Sequence, residues 1–360
     1  MKIILTMAAV LCLTVQGFTQ FPLGSNALTI RSIRVHGNET TKAHIILREM
    51  TTRVGDTLDL DVLQYDKDRI YSLGLFNRVE IDYSAAGSDA DLIVRVHERW
   101  YLYPFPVLGF KYRDPRNLYY GLGLIHSNFR GRNEKLMFSF ALGFDRWISL
   151  VYQNPKLTAD DDIYFRASLV SARVQNLSPD RGLYRQKNNG GHVTIGKRFG
   201  HFSLARFSAG YEGWSVSDEV AGGTLTPGGR DVFGTLGFDY TYDSRDVREY
   251  SMRGSLLFLS ATKFGFGESY VDFFRYRFSS SVFLPVLDGA SVGARAHGEF
   301  SAGGPVPRYR YVYFGYGERI RGYFKRVLEG ENIVGGNIEL RLPILSPRYY
   351  QFPYSPLPEF

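Results

Sequence analysis

Hydrophobic positions follow one regime up to about residue 99 and another beyond it. In the first regime, short strand-like and helix-like stretches alternate. Ile30, Ile33 and Val35 predict a strand that ends at His36-Gly37-Asn38. Thr40 or Thr41 can cap a helix whose apolar face includes Ala43, Ile46, Leu47 and Met50. Gly55-Asp56 interrupts the chain, Asp59 or Asp61 opens a second helix carrying Leu63, Ile70 and Leu73, and Gly74 closes it. Val79, Ile81 and Tyr83 then alternate with polar residues, Gly87-Ser88-Asp89 turns, and Leu92, Val94 and Val96 alternate again. The predicted order is β-α-α-β-β within about seventy residues, enough for a small independent core.

Beyond Trp100 the pattern is strand and turn only. The stretch from Tyr101 to Tyr112 contains Pro104 and Pro106, which cannot donate to a ladder, so a weakly paired strand or an edge position is expected. Within 117–128, Tyr120, Leu122 and Leu124 oppose Gly121 and Gly123. Leu136, Phe138, Phe140, Leu142 and Phe144 then oppose Ser139, Ala141 and Gly143. Further candidates run near 148–157, 162–176, 190–199, 201–216, 231–243, 253–263, 269–286 and 289–302. A last one, Gly335 to Ile344, places Ile338, Leu340, Leu342 and Ile344 on one face and Asn337, Glu339 and Arg341 on the other. That makes about twelve strands, with about eleven before a basic, Gly- and Tyr-rich connection at 308–326.

Tyr (25), Phe (27) and Gly (38) are abundant, and after residue 15 no run approaches the ~18 apolar residues of a membrane helix. Any membrane crossing in this chain would use strands. Alternation alone also fits a soluble sandwich, which would hide its large residues. The segment 269–286 favours the barrel. Its Phe274, Tyr276, Phe278, Val282 and Leu284 oppose Arg275, Arg277, Ser279 and Ser281. Inward arginines suit a wet lumen better than a dry core, where an unpaired charge costs several kcal/mol. At the N-terminus, Met1-Lys2, the apolar run Ile3 to Val15 and the polar Gln16 to Gln20 predict a signal peptide over 1–20. The single cysteine, Cys12, lies inside that segment after Leu11, which argues against a lipoprotein box, so no disulfide or thiol chemistry is expected. The net charge of +7 does not point to nucleic acid once the chain is exported; anionic head groups or a cation-lined pore are better uses of it.

Several motifs resemble a known family. Arg34-Val35-His36-Gly37-Asn38 and the run Ser72 to Val79 resemble a POTRA domain. Ile320-Arg321-Gly322-Tyr323 is similar to the Arg-Gly-Tyr/Phe loop motif of the BamA/TamA superfamily of outer-membrane assembly and translocation proteins, and Asn128 to Glu134 and Asp243 to Asp246 resemble its strand-end motifs. The resemblance implies an all-β transmembrane antiparallel β-barrel, about twelve strands of an expected sixteen or so, preceded by a small α+β POTRA-like domain. The implied layout is a signal peptide 1–20, a POTRA-like periplasmic domain 27–99, a barrel 100–345 and a Pro-rich end 346–360. It further implies that Arg321 is planted on the lumen wall against Glu339 of the following strand, with Gly322 turning the loop and Tyr323 packing over the contact. Clients would be received by strand addition along Arg78, Val79, Glu80, Ile81, Asp82 and Tyr83. The implied role is insertion or translocation of outer-membrane or secreted polypeptides. The implied partners are the outer-membrane bilayer, unfolded clients and accessory lipoproteins. Alternatives are a two-partner secretion transporter, a passive pore or adhesin, and a barrel hydrolase.

The sequence departs from the family in two places. The glycine pair usual before the motif is Gly315-Tyr316 here, and Phe360 follows soon after Pro347, Pro353, Pro356 and Pro358, short of four expected strands. A truncated product is the first expectation and a genuine twelve-stranded barrel the second. Catalytic signatures are lacking: there is no His-Glu-x-x-His and no Gly-x-Ser-x-Gly, and Gly315-x-Gly317 is followed by Ile320 where a dinucleotide fingerprint needs glycine. His36, His44, His97, His126, His192, His201 and His297 show no ligand-like pairing. No enzymatic activity, metal or cofactor is therefore expected.

Overall fold

The computed structural model describes residues 28–157, 162–176, 184–217, 223–247, 250–267, 269–287, 289–314 and 327–342. The N-terminal module comprises β1 (Thr29–His36), α1 (Ala43–Leu47), α2 (Leu60–Tyr71), β2 (Phe76–Ala86) and β3 (Asp89–Glu98). Its sheet order is β1-β3-β2, with β1 parallel and β2 antiparallel to β3. The apolar faces read from the sequence meet here: Ile45, Ile46, Met50 and Ile70 from the helical side pack on Phe76, Val79, Val94 and Val96 of the sheet. Asp59 caps α2, its carboxylate accepting from the amides of Asp61 (2.9 Å) and Val62 (3.2 Å). The first helix is shorter than its apolar period suggests and starts after Lys42, without a side-chain cap. Thr41 does not serve there: its hydroxyl accepts from Asn128 at 2.9 Å and meets the Tyr101 hydroxyl at 3.0 Å, while the amides of Thr40 and Thr41 donate to the Glu98 carboxylate at 3.0 and 2.6 Å. Gly37, at φ +81°, closes the strand end, and a Cβ there would sit 2.1 Å from the Val96 carbonyl oxygen.

Among the described residues the second body is one antiparallel sheet of twelve strands, paired in chain order except that the last, β17, pairs with β14. They are β4 (Leu102–Phe110), β5 (Leu118–Phe129), β6 (Glu134–Gly143), β7 (Arg146–Asn154), β8 (Ile163–Gln175), β9 (Arg185–Phe199), β10 (Ser203–Val216), β11 (Arg230–Asp243), β12 (Gly254–Phe264), β13 (Phe273–Leu287), β14 (Ala290–Gly303) and β17 (Ile333–Arg341). A separate ribbon of β15 (Val312–Phe314) and β16 (Leu328–Gly330) stands in the connection between β14 and β17. Among the described residues β4, with its two prolines, and β17 form the edges, and no pairing between these two strands closes the sheet. β9 begins five residues before the apolar alternation does. Its polar start from Arg185 to Asn189 is held by ladder pairing to β8 and β10 and not by side-chain burial.

The faces settle the choice between a sandwich and a barrel wall. The large apolar side chains are the exposed ones, with Phe207 at 67%, Leu236 at 53% and Ile338 at 80%, whereas inward-facing Glu212 and Arg275 are only 4% and 7% exposed. A soluble sandwich would show the reverse. On β13, Arg275 bonds Glu299 (3.0 Å) and Ser301 (3.2 Å), and Arg277 reaches Ser260 (3.3 Å), so both inward arginines find partners across the ladder.

Candidate functional site

The connection leaving β14 folds back against the inner wall. Tyr309 stacks on Trp214 of β10 with ring centroids 4.6 Å apart and planes 9° from parallel, and its hydroxyl donates to Asp231 of β11 at 2.7 Å. Arg310 forms an ion pair with Glu212, and its guanidinium lies over the rings of Phe264 (4.8 Å) and Trp214 (5.1 Å). Glu212 also accepts from the Trp214 indole at 2.7 Å and meets His192 at 3.0 Å. Val306 and Tyr309 complete an apolar cluster with Phe233, Phe264, Val271 and Phe273. A buried carboxylate with three donors, beside aromatic faces that favour a cation, fixes one position for this stretch of loop.

The residues singled out from the sequence fall in three places. Ile320, Arg321, Gly322 and Tyr323 lie outside the described residues. Glu339 stands on the inner face of β17 opposite Gly293, accepting from Asn337 (2.9 Å) and Arg341 (3.3 Å). Arg341 continues the row, donating to the Ser251 carbonyl at 2.5 Å with its guanidinium 4.4 Å from the Phe283 ring centroid. Arg78 to Tyr83 form part of β2, an edge of the N-terminal sheet that pairs with β3. Val79 is buried and Ile81 packs on both apolar clusters of the module, whereas Tyr83 is exposed. Arg78 pairs with Glu80, and Asp82 with Arg95.

A third arrangement joins the two bodies. The turn between β5 and β6 meets the segment before α1: Asn128 donates to the Thr41 hydroxyl (2.9 Å) and the Lys42 amide donates to the Gly131 carbonyl (2.9 Å). Glu134, fully buried, holds that turn through a two-pronged bond from Arg130 at 2.8 and 2.9 Å. Farther round, Ser72 donates to the Asp246 carbonyl at 3.3 Å. At the centre is Glu49, just after α1. Arg198 of β9 grips its carboxylate at 2.7 and 3.0 Å, Arg69 of α2 donates at 3.1 Å, and Arg48 stands 3.5 Å away. Burial by itself would raise the Glu49 pKa. The Arg198 bond and the charges of Arg198, Arg69 and Arg48 outweigh it and hold the carboxyl at about 2.

Comparison with known proteins completes the picture. Residues 28–99 match the POTRA family described as the surface antigen variable number repeat, and residues 128–352 match the Omp85 superfamily domain. The chain belongs to the Omp85 superfamily. Among solved structures, BamA from Haemophilus ducreyi lacking POTRA domains 1-3 is similar at a TM-score of 0.55 and 18% identity, over 89% of this chain and 69% of that one. CdiB from Escherichia coli is similar at 0.57 and 12% identity, over 90% of this chain and 63% of that one. At such identities the likeness is one of fold. The module beneath this Omp85 sheet is a POTRA domain, and the two strand-end motifs noted in the sequence are the turns on which it docks. In the sequence of this Omp85 chain, Arg308 and Arg310 are two charges among several of the basic connection at 308–326. Nothing local marks Arg310 as an anchor. The available signal was its intended partner, Glu212, a lone acid on the inward row of Arg206, Ser208, Gly210 and Trp214.

Proposed function

We propose that this Omp85 protein assists the insertion of polypeptides into the bacterial outer membrane or their passage across it, without catalysing a reaction. The observation that carries the reading is the Omp85 domain joined to a POTRA module whose β2 is an edge strand. The exposed apolar row of the large sheet would face lipid hydrocarbon, the POTRA module would stand in the periplasm, and unfolded outer-membrane or secreted clients would add along Arg78 to Tyr83. Accessory lipoproteins are candidate partners at the module. Within this reading Arg321 pairs with Glu339, reinforcing a loop that Tyr309 and Arg310 already hold on the wall. The likeness to CdiB supports translocation of a dedicated secreted client as the second form of the same role.

Depletion tests the proposal. An insertion factor's loss lowers many outer-membrane proteins together, whereas a secretion transporter's loss strands its own client in the periplasm. A change confined to solute permeation would replace both with a passive pore.

A further inference from the structure

Four exposed cations stand in one cross-strand row of the large sheet. Arg146 of β7 lies opposite Arg173 of β8, Arg173 opposite Lys187 of β9, Lys187 opposite Ser215 of β10, and Ser215 opposite Arg230 of β11. Each shares its face with exposed apolar residues of its own strand: Ile148 and Leu150, Leu169, Val193 and Ile195, Val232 and Leu236. The row is therefore on the lipid side of the wall. It lies at the strand ends away from the POTRA module, which meets β9 at Arg198, near the other end of that strand from Lys187. Side chains directly opposite on neighbouring strands have Cβ atoms about 4.5–5.5 Å apart, and like charges placed so are destabilising. Among the described residues no carboxylate pairs with any of the four; Arg146 donates to the Gly143 carbonyl at 3.3 Å. The acids beside them in the chain are buried and engaged elsewhere. Asp145 accepts from Lys111 and from the Gln175 amide, both at 2.8 Å, and Asp231 accepts from Tyr309 at 2.7 Å. Asp180, Asp218 and Glu219, in the adjoining connections, lie outside the described residues.

We propose that this row binds the head group of an anionic, phosphate-bearing lipid in the leaflet farther from the POTRA module. Guanidinium forks match phosphate in two-pronged geometry, and an ammonium is a compact partner for the same group. A zwitterionic head group would add an ammonium to a row that is already cationic, so the fit is to a net negative one. Two details beneath the row agree. A Cβ at Gly213 would lie 3.7 Å from the Arg230 guanidinium, so that side chain leans over β10 and narrows the gap left by Ser215. Ser171 donates to Asn189 at 2.7 Å, a neutral polar step directly below Arg173 and Lys187. Farther along β9, β10 and β11, on the same face, Val193, Ile195, Phe207, Ala209, Leu236 and Phe238 line an apolar groove of about 470 Å³. Lys263 at its border is already paired with Asp272. Cations at one end and an apolar groove beyond them suit a lipid, whereas a free anion would use the row alone. The proposal needs the sheet to face lipid and does not depend on client handling.

The test uses the full chain in phosphatidylcholine nanodiscs, with bis-phosphorylated lipid A as the probe and its dephosphorylated form and inorganic pyrophosphate as comparisons. Native mass spectrometry should show the phosphorylated lipid retained and the dephosphorylated form lost. The double variant R173Q/K187Q should weaken retention by about tenfold or more, the order of one lost charge-assisted contact. Thermal unfolding reads the row itself. Without the probe the double variant should match or exceed the native chain, because a repulsion has gone, and the probe should raise the midpoint of the native chain only. If the variant does not fold, a lipid A carrying a diazirine on an acyl chain decides, by labelling the native chain beside Val193 and Ala209. Equal retention of both lipid forms, pyrophosphate bound as tightly as the lipid, unchanged retention in a folded variant, or labelling elsewhere would overturn the proposal. So would a lower midpoint of the variant without the probe, since the cations would then be matched within the protein.

Discussion

Glu212 shows how one buried side chain can set the position of a long loop. It is 4% exposed and has three partners, so removing one leaves the others in place. Arg310→Ala should therefore destabilise toward the lower end of the ~3–5 kcal/mol expected for breaking a buried ion pair. Glu212→Ala strands the guanidinium against Phe264 and should cost as much or more. The two effects should be less than additive in urea unfolding; strict additivity would mean that the pair does not act as a unit. Tyr309→Phe should be milder, about 1 kcal/mol. Asp231 keeps the amides of Leu225 (3.0 Å) and Thr226 (2.7 Å) when the hydroxyl is lost. For the proposed Arg321–Glu339 pair the expected outcome is similar impairment of assembly by R321A and E339A, with a less than additive effect in the double variant. Glu339 is half-buried beside Asn337 and Arg341, so in the absence of Arg321 its removal would cost at most ~1 kcal/mol.

At the scale of elements, β2 has two duties that one substitution can confuse. Ile81 packs on both cores of the POTRA module, so a proline there would damage the fold as well as the edge. Tyr83 is exposed on the same strand, and a photo-reactive residue in its place should crosslink unfolded client without disturbing the core. Failure of that crosslink while clients are still processed would remove β2 from the pathway. The turn between β5 and β6 offers a sharper structural test. Gly131 sits at φ +70°, and a Cβ there would lie 2.0 Å from the Thr40 carbonyl oxygen. Gly131→Ala should loosen the docking of the POTRA module by about 1–3 kcal/mol, read as faster proteolysis near residue 100 with the sheet intact.

For the whole molecule, the junction at Glu49 makes the seating of one body on the other depend on pH. Its pKa lies at about 2 against an ordinary 4.5. The stabilisation is therefore fully present above about 4.5 and is lost as pH falls toward 2. Only the share that Arg198 supplies belongs to the seating, because Arg69 and Arg48 stay beside Glu49 in the POTRA module. Spin-label distances between the POTRA module and the sheet should stay constant at neutral pH and broaden on acidification between those values. Glu49→Gln should broaden them at neutral pH, because Arg198, Arg69 and Arg48 lose their shared counter-charge. A distance unaffected by either change would place the docking energy elsewhere, in contacts such as Asn128 with Thr41.

Strand number, strand facing and the small N-terminal fold could be read from the sequence because each depends on near neighbours. The pleat places alternate residues on opposite sides whatever the strand pairs with, so Phe274 and Tyr276 had to oppose Arg275 and Arg277. Asp59 caps α2 through amides two and three residues on, which is equally local. Prolines 104 and 106 marked an edge because the missing donor belongs to the residue itself. Tertiary structure alone decided which polar groups meet. Arg310 and Glu212 are 98 positions apart, and Glu49 and Arg198 are 149 apart. An ion pair acts over a few ångströms and leaves no periodic trace along the chain. Alternation fixed which side chains point inward, and only the curvature of the sheet and the seating of the POTRA module selected their partners.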